Sequence, residues 1–103
     1  MKEIELSGKL RVMCLTAVKQ TPDGYKGIDR IRTGLKLLKK FESGLPKEDR
    51  KLNKEEEETK LVIALEDSEF SFLKSCVDTL QWNGAVLELL DELYTAFDSA
   101  KKV

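Results

Sequence analysis

Two segments of the chain begin with alternating apolar and polar residues and continue with an apolar spacing of three to four residues. One of them is IELSGKLRVMCL, beginning at Ile4, and the other is IALEDSEFSFLKSC, beginning at Ile63. Alternation is typical of a half-buried strand, whereas the wider spacing is typical of a helix. The sequence therefore predicts a strand that leads into a helix, twice. An internal duplication and a coincidence of pattern are both open as explanations.

The first of these units is predicted as a strand over residues 2–6 and a helix over residues 8–18. Ile4 and Leu6 share one face of the strand, as a half-buried strand requires. Ser7 lies between strand and helix, where its hydroxyl can accept a hydrogen bond from the first free amides of the helix. Apolar residues occupy most of the circumference of this helix, which predicts a central position in the domain.

A second helix is predicted over residues 28–41, because the turn signal PDG at residues 22–24 precedes it and Gly44 and Pro46 follow it. At about 100° per residue, one side of this helix is predicted to be apolar, and it contains Ile28, Ile31, Leu35, Leu38 and Phe41. Another arc is basic and contains Arg32, Lys36, Lys39 and Lys40.

The most polar segment is KEDRKLNKEEEETK, at residues 47–60, in which Leu52 is the one apolar residue. It is predicted to form an exposed connection with one or two helical turns, and the carboxylates from Glu55 to Glu58 repel one another. The alternative is that this segment is an acidic contact site for a basic partner.

The second unit is predicted to begin with a strand that contains Val62, Ile63 and Leu65, residue types that favour strands. Asp67 is predicted to cap the helix that follows, with Glu69 in its first turn. The buried stripe of this helix is predicted to consist of Phe70, Leu73, Cys76, Val77 and Leu80.

The last helix is predicted over residues 85–100, after the turn signal Asn83-Gly84. Its apolar stripe is wide and consists of Val86, Leu87, Leu89, Leu90, Leu93, Tyr94, Phe97 and Ala100. The predicted fold class is thus α+β and mainly helical, with about four helices that cover one face of a short two-stranded β-ribbon. Residues 1–103 are predicted to form a single domain.

Composition restricts the classes of function. The chain has 103 residues, a net charge of −1, two cysteines and no histidine. Without histidine it has no side chain of the type that most often serves as a general base or zinc ligand. Cys14 and Cys76 lie in apolar helical patterns, where a free cysteine is usually buried; a disulfide is the alternative. The sequence shows no signal-peptide pattern and no apolar run of about 20 residues, so a cytoplasmic protein without membrane contact is expected.

No motif in the sequence indicates a cofactor, metal or catalytic site. The glycine-rich phosphate-binding patterns GxGxxG and GxxxxGK[ST] are both missing. The segment GYKG at residues 24–27 precedes a helix, but Asp29 adds negative charge at that helix end and disfavours a phosphate. Glu88, Asp91 and Glu92 lie opposite an apolar stripe, which is the arrangement of a solvated helix face. We therefore expect a protein that is not an enzyme and uses no cofactor.

Three stretches of the chain carry a resemblance to a known group: IELSGKLRVMCLTAV, LVIALEDSEFSFLKSCVDTL and LELLDELYTAF. In this layout the chain resembles small, largely uncharacterised proteins encoded in bacteriophage and prophage genomes. Those proteins have a strand leading into an apolar helix, a glutamate-rich middle, a second strand, the pattern (E/D)-D-x-E-x-x-(F/Y)-L-K and a final amphipathic helix. Around residues 25–40 this chain is more basic than that group. The resemblance implies a phage or prophage origin, hence the cytoplasm of a bacterial host, and supplies no functional residues.

Charge is distributed unevenly along the chain. Residues 1–42 hold ten Lys or Arg against five Asp or Glu, whereas residues 43–103 hold eight against fourteen. A basic surface can neutralise the phosphates of a nucleic acid or attract an acidic protein surface. The residues predicted to form such a face are Lys26, Arg30, Arg32, Lys36, Lys39 and Lys40.

The predicted function is a non-enzymatic role in protein–protein interaction or self-association, because two wide apolar stripes exceed what so short a chain readily covers. The predicted partner is a second copy of the chain, or another phage or host protein. Trp82, Tyr94 and Phe97 are the predicted interface residues, with a lid on the core as the alternative for Trp82. The alternative function is a small nucleic-acid-associated or regulatory protein that uses the basic face of the second helix.

Overall fold

The computed structural model describes residues 1–20, 26–42 and 52–102. The elements follow in the order β1 (Lys2–Ser7), α1 (Gly8–Lys19), α2 (Ile28–Glu42), α3 (Lys54–Glu58), β2 (Lys60–Leu65), α4 (Asp67–Thr79), a 3-10 turn (Gly84–Val86), α5 (Leu87–Asp98) and β3 (Lys101–Lys102). The predicted fold class, α+β and mainly helical, is confirmed. The predicted turn at residues 22–24, the helix stop at Gly44 and Pro46, and residues 47–51 lie outside the described residues. None of the helices in the described ranges has the length and apolar character needed to cross a membrane.

Within residues 1–20, 26–42 and 52–102, the sheet has three antiparallel strands in the order β2-β1-β3, so β1 is its central strand. Ile4 of β1 lies opposite Ile63 of β2, and both side chains are buried in the core. The predicted pair of strands is therefore present. The third strand, β3, pairs with the beginning of β1. Sequence analysis did not predict β3, because its two exposed lysines carry no apolar alternation.

Helix α1 is the centre of the helical layer, since it packs against α2, α3, α4 and α5 as well as β1. The hydroxyl of Ser7 accepts a hydrogen bond from the amide of Leu10 at 3.4 Å, so the predicted N-cap is confirmed. Most side chains of α1 are buried, as its apolar circumference predicts. Cys14 and Cys76 are both buried as thiols, and burial raises the pKa of the Cys14 thiol.

The first residue of α1 lies against the backbone of α3. Asn53 caps α3 by accepting from the Glu56 amide at 2.8 Å, and the Glu56 carboxylate accepts from the Asn53 amide at 3.1 Å. A Cβ atom at Gly8 would lie 3.0 Å from the carbonyl carbon of Glu56 and closer still to its oxygen. The described part of the polar segment thus forms a helical turn, as predicted, and this turn packs on α1 where position 8 has no side chain.

One charged side chain of α1 is buried. Arg11 is almost fully enclosed, and its Nη2 lies 3.5 Å from the carbonyl oxygen of Thr59, just after α3. Burial lowers the pKa of its guanidinium. Sequence analysis did not identify Arg11, because a charged residue in an apolar helix usually lies at the solvated edge. Arg11 and Gly8 together link α1 to the segment that contains α3.

Helix α4 begins at Asp67, so the prediction that Asp67 caps it is wrong: Glu66 occupies the N-cap position. Glu69 accepts a hydrogen bond from the Glu66 amide at 2.9 Å, which is one half of a capping box. Asp67 instead lies 3.6 Å from the amino group of Met1. The predicted buried stripe is confirmed for Phe70, Leu73, Cys76 and Val77. Leu80 follows the helix and is half-buried.

The predicted last helix begins with the 3-10 turn and continues as α5. Asn83 caps the turn, because its side-chain oxygen accepts from the amide of Ala85 at 3.0 Å. The buried residues of α5 are Leu90, Leu93 and Phe97. Leu87 is exposed, so the buried stripe of this helix is narrower than predicted.

Candidate interaction surface

Only part of the apolar side predicted for helix α2 is turned to the core. Its buried residues are Gly34, Leu37 and Phe41. Of the predicted side, Phe41 is thus buried and Leu38 is half-buried. The other three residues are exposed, with exposed fractions of 61% for Ile28, 44% for Ile31 and 52% for Leu35. The helix has apolar residues on two sides, and the side with the phenylalanine ring packs against α1 and α4.

The three exposed aliphatic side chains form a row along α2. Their spacing of i, i+3 and i+7 brings them to the same side of the helix. We call Ile28, Ile31 and Leu35 the α2 ridge. Single exposed apolar residues are ordinary on a protein surface, but a contiguous set of large aliphatic side chains indicates a contact surface.

Basic side chains lie along one side of the α2 ridge. Arg32 and Lys39 each follow a residue of the ridge by four positions, and Lys36 lies between them. Residues four positions apart are neighbours on a helix. All three side chains are exposed, as is Lys26 just before the helix. We call these four residues the basic border; the exposed surface of α2 thus has an apolar centre and a positive margin.

Two residues of the predicted basic face lie outside this border. Arg30 is half-buried, with its guanidinium carbon 5.1 Å from the centre of the Phe72 ring on α4. The ammonium group of Lys40 donates to a carboxylate oxygen of Glu69 at 2.7 Å and to the carbonyl of Ala64 at 2.9 Å. Both side chains hold α2 against its neighbours, so the exposed basic surface is smaller than the predicted face.

Glu69 is the buried partner of Lys40, with 2% of its surface exposed. Its Oε1 atom accepts hydrogen bonds from Lys40 and from the amide of Glu66. A buried carboxylate is costly unless it is paired, so this contact opposes rotation of α2 about its own axis. Sequence analysis placed Glu69 in the first turn of its helix but did not identify its partner, because Lys40 lies 29 residues away in the chain.

The predicted interface residues lie on other elements than the α2 ridge. Trp82 is half-buried against the core, and its indole N–H donates to the carbonyl of Val77 at 3.0 Å. This is the geometry expected if Trp82 covers the core as a lid. Phe97 is 4% exposed and packs edge-on against a second phenylalanine ring, so it is a core residue and not a surface residue. Tyr94 is half-buried. An interface role for Trp82 and Tyr94 stays a prediction.

The hydroxyl of Tyr94 joins α5 to α4. It donates to a carboxylate oxygen of Asp78 at 2.5 Å. Burial raises the pKa of this hydroxyl, and the hydrogen bond and negative charge of Asp78 add to the effect, which brings the pKa to about 12. The proton therefore stays on Tyr94 near neutral pH, and the contact is a neutral donor bound to a carboxylate.

A second surface has the opposite charge. An open groove of about 600 Å³ lies among β1, α3 and α5. Two lysines and five carboxylates line it, and the carboxylates are Glu5, Glu57, Glu58, Asp91 and Glu92. We call this surface the acidic groove. Within the described ranges, no group of three or more Cys, Asp or Glu side chains is arranged to hold a metal ion.

Comparison of the chain with protein-family models, with curated proteins and with solved structures found no match. The surfaces of the molecule therefore provide the clues to its function. The α2 ridge with its basic border offers apolar area and positive charge, and the acidic groove offers negative charge.

Proposed function

We propose that this protein is a non-enzymatic interaction protein whose docking surface is the α2 ridge with its basic border. The observation that supports the proposal is the exposure of three large aliphatic side chains in a row on a helix whose other side is packed. Removing apolar surface from water is favourable by roughly 25 cal/mol for each Å². A partner that covers the α2 ridge removes this apolar surface from water. Binding thereby gains a free energy that the isolated chain does not gain.

The basic border defines the chemistry of the partner. Its positive charges attract an acidic surface and orient it, and such charges contribute more to association rate and specificity than to affinity. The α2 ridge supplies the apolar centre on which most of the affinity of an interface depends. An acidic amphipathic helix fits both requirements, because it carries a stripe of apolar residues between carboxylates.

A phage or prophage origin belongs to the same proposal. It is supported by the layout of the elements and by the segment EDSEFSFLK, which resemble those of small phage and prophage proteins. The partner is then a second copy of the chain or another phage or host protein, and the site of action is the cytoplasm of the bacterial host.

The test uses a synthetic acidic helical peptide with leucines at spacing i, i+3 and i+7 and glutamates between them. Its binding to the protein is measured by fluorescence anisotropy. We expect the wild-type protein to bind it, and the double variant Ile31→Ser/Leu35→Ser to bind at least about tenfold more weakly, because two apolar contacts are lost.

The matched control is Val62→Ser, which removes an aliphatic side chain of similar exposure, 59%, from β2. This variant is expected to bind the peptide as the wild type does. A peptide of the same composition in scrambled order tests charge alone and is expected to bind more weakly. The proposal is wrong if the wild-type protein ignores the helical peptide, or if Val62→Ser loses as much binding as the ridge variant.

The second candidate function is association with nucleic acid through the basic border. The exposure of Lys26, Arg32, Lys36 and Lys39 favours it. The α2 ridge disfavours it, because aliphatic side chains do not stack on bases as aromatic ones do. A salt titration separates the two functions: binding to nucleic acid falls steeply with salt and weakens in Lys36→Gln/Lys39→Gln, but not in the ridge variant. Absence of binding at low salt eliminates this candidate.

A further inference from the structure

Building on the proposed function, we infer that the α2 ridge of one copy docks in the acidic groove of a second copy, so that copies associate head to tail. The two surfaces lie on different elements, the ridge on α2 and the groove among β1, α3 and α5. One copy can therefore present its ridge to one neighbour and its groove to another.

Charge complementarity is the first reason to choose a second copy as the partner. Around the ridge, Arg32, Lys36 and Lys39 are exposed and positive, and they outnumber the two exposed carboxylates of α2, Asp29 and Glu42. In the groove, five carboxylates outnumber the two lysines. Complementary potentials of this kind accelerate encounter and fix orientation, whereas juxtaposed like charges oppose association. The chain itself thus carries the acidic surface that its basic border requires.

The groove also offers apolar surface to the ridge. Ala96, which is half-buried, lines it beside Asp91 and Glu92 of α5, whereas Leu10, which also lines it, is only 6% exposed. Docking of the ridge places its aliphatic side chains near this apolar area while the carboxylates meet the basic border. The groove therefore resembles the acidic amphipathic partner that the α2 surface fits.

A two-fold contact between two α2 helices is the competing arrangement, and the charges oppose it. It brings the basic border of one copy against the same border of the other. A contact between two different surfaces does not close on itself as a two-fold dimer does, and it leads to a ring or to a longer assembly. The expected behaviour is association that grows with protein concentration and weakens with salt, because the charges are exposed and screened.

The test compares two charge-reversal variants by sedimentation velocity over a range of protein concentrations at low salt. Arg32→Glu/Lys36→Glu/Lys39→Glu leaves one lysine against three carboxylates in the border, which makes it acidic, and Asp91→Lys/Glu92→Lys leaves four lysines against three carboxylates in the groove, which makes it basic. Each variant alone is expected to self-associate at least about tenfold more weakly than the wild type, because its ridge and groove then carry like charges. An equimolar mixture is expected to associate again, because the acidic border of one variant fits the basic groove of the other.

The matched control is Glu88→Lys/Asp98→Lys, which reverses two exposed charges on α5 outside the lining of the groove. It is expected to associate nearly as the wild type does. Circular dichroism establishes that each variant is folded. If a reversal variant is unfolded, Ile31→Ser/Leu35→Ser replaces it, and loss of self-association in this folded variant is the expected result.

Three results overturn the inference. A wild-type protein that stays monomeric at high concentration and low salt excludes the second copy as partner. Self-association of the wild type without recovery in the mixture excludes the pairing of ridge with groove. Equal loss in the α5 control shows that net charge alone governs association. The peptide experiment decides the proposed function separately, since it needs no second copy.

Discussion

Helices α1 and α2 both carry apolar residues on more than one side, but only α1 is covered on more than one side. Helix α1 lies among β1 and the other four helices, whereas α2 packs chiefly against α1 and α4. The apolar sides of α1 are therefore core, and one apolar side of α2 is surface. Apolar periodicity shows how much a helix has to bury, but the number of neighbours decides whether its own chain buries it.

The largest expected effect separates the two sides of α2. Phe41→Ala removes a fully buried ring and is expected to lower the free energy of unfolding by about 3–5 kcal/mol. Leu35→Ala, on the ridge of the same helix, is expected to change it by less than about 0.5 kcal/mol. Denaturant-induced unfolding measures both. Similar losses in the two variants would contradict the assignment of a buried and an exposed side.

The next effect concerns the ion pair that orients α2. Lys40→Met leaves the carboxylate of Glu69 buried without its ammonium partner and is expected to cost about 1–3 kcal/mol of stability. Lys39→Met, the adjacent residue on the exposed border, is the control and is expected to be close to neutral. Adding Glu69→Gln to Lys40→Met is expected to restore part of the loss. A neutral Lys40→Met would show that packing alone sets the orientation of α2.

A smaller effect tests how closely α1 is surrounded. Gly8→Ala places a methyl group against the Glu56 backbone and is expected to destabilise the protein by about 1–2 kcal/mol as α3 moves away. Gly84→Ala is the matched control, because no atom lies within 4 Å of a Cβ at that position. Thermal unfolding compares the two. Equal melting temperatures would mean that α3 does not need its contact with α1.

The smallest effect belongs to α5, which is half-covered and thus intermediate between α1 and α2. Tyr94→Phe removes the hydrogen bond to Asp78 and is expected to cost up to about 1 kcal/mol near neutral pH. The pKa of the folded-state hydroxyl is about 12, against an ordinary value near 10. The contribution of the hydroxyl is thus present below pH 10 and declines between pH 10 and 12, because only the unfolded chain releases the proton there.

The measurement for Tyr94 is the absorbance of tyrosinate during a pH titration, combined with denaturant unfolding at each pH. The wild type is expected to lose stability more steeply than Tyr94→Phe between pH 10 and 12. A Tyr94 hydroxyl that titrates at its ordinary pH, read from the difference in tyrosinate absorbance between the wild type and Tyr94→Phe, or parallel stability curves for the two proteins, would disagree with the hydrogen bond to Asp78.

Local patterns in the sequence predicted much of the fold. The alternation around Ile4, the cap at Ser7 and the apolar circumference of α1 are each contained within a few residues, and the structure confirms them. The short strand β3 and the burial of Arg11 were not predictable in this way, because both depend on residues far away in the chain. The prediction that Asp67 caps α4 was wrong because Glu66 and Asp67 are successive acidic residues, and both fit the pattern of a helix N-terminus.

The candidate surface was predicted in part. Arg32, Lys36 and Lys39 belong to the predicted basic face and are exposed, but the exposure of the α2 ridge beside them was not predicted. A signal for the exposed ridge was nevertheless present: with Leu37 included, apolar residues cover about half of the helix circumference. So wide an arc exceeds what contact with two neighbouring helices requires. The orientation of α2 about its own axis depends on the contact of Lys40 with Glu69 of α4. These residues lie 29 positions apart in the chain, so no local pattern contains both.

The position of β1 in the middle of the sheet has a consequence for synthesis on the ribosome. Lys2 pairs with Leu65 and with Lys102, so both partners of this strand are translated long after it. Helices form within microseconds from local contacts, but a strand whose partners are distant must wait for them. Through much of translation the nascent chain exposes Ile4, Leu6 and the apolar surface of α1, which are segments of the kind that chaperones bind and that aggregate when chaperones are lacking.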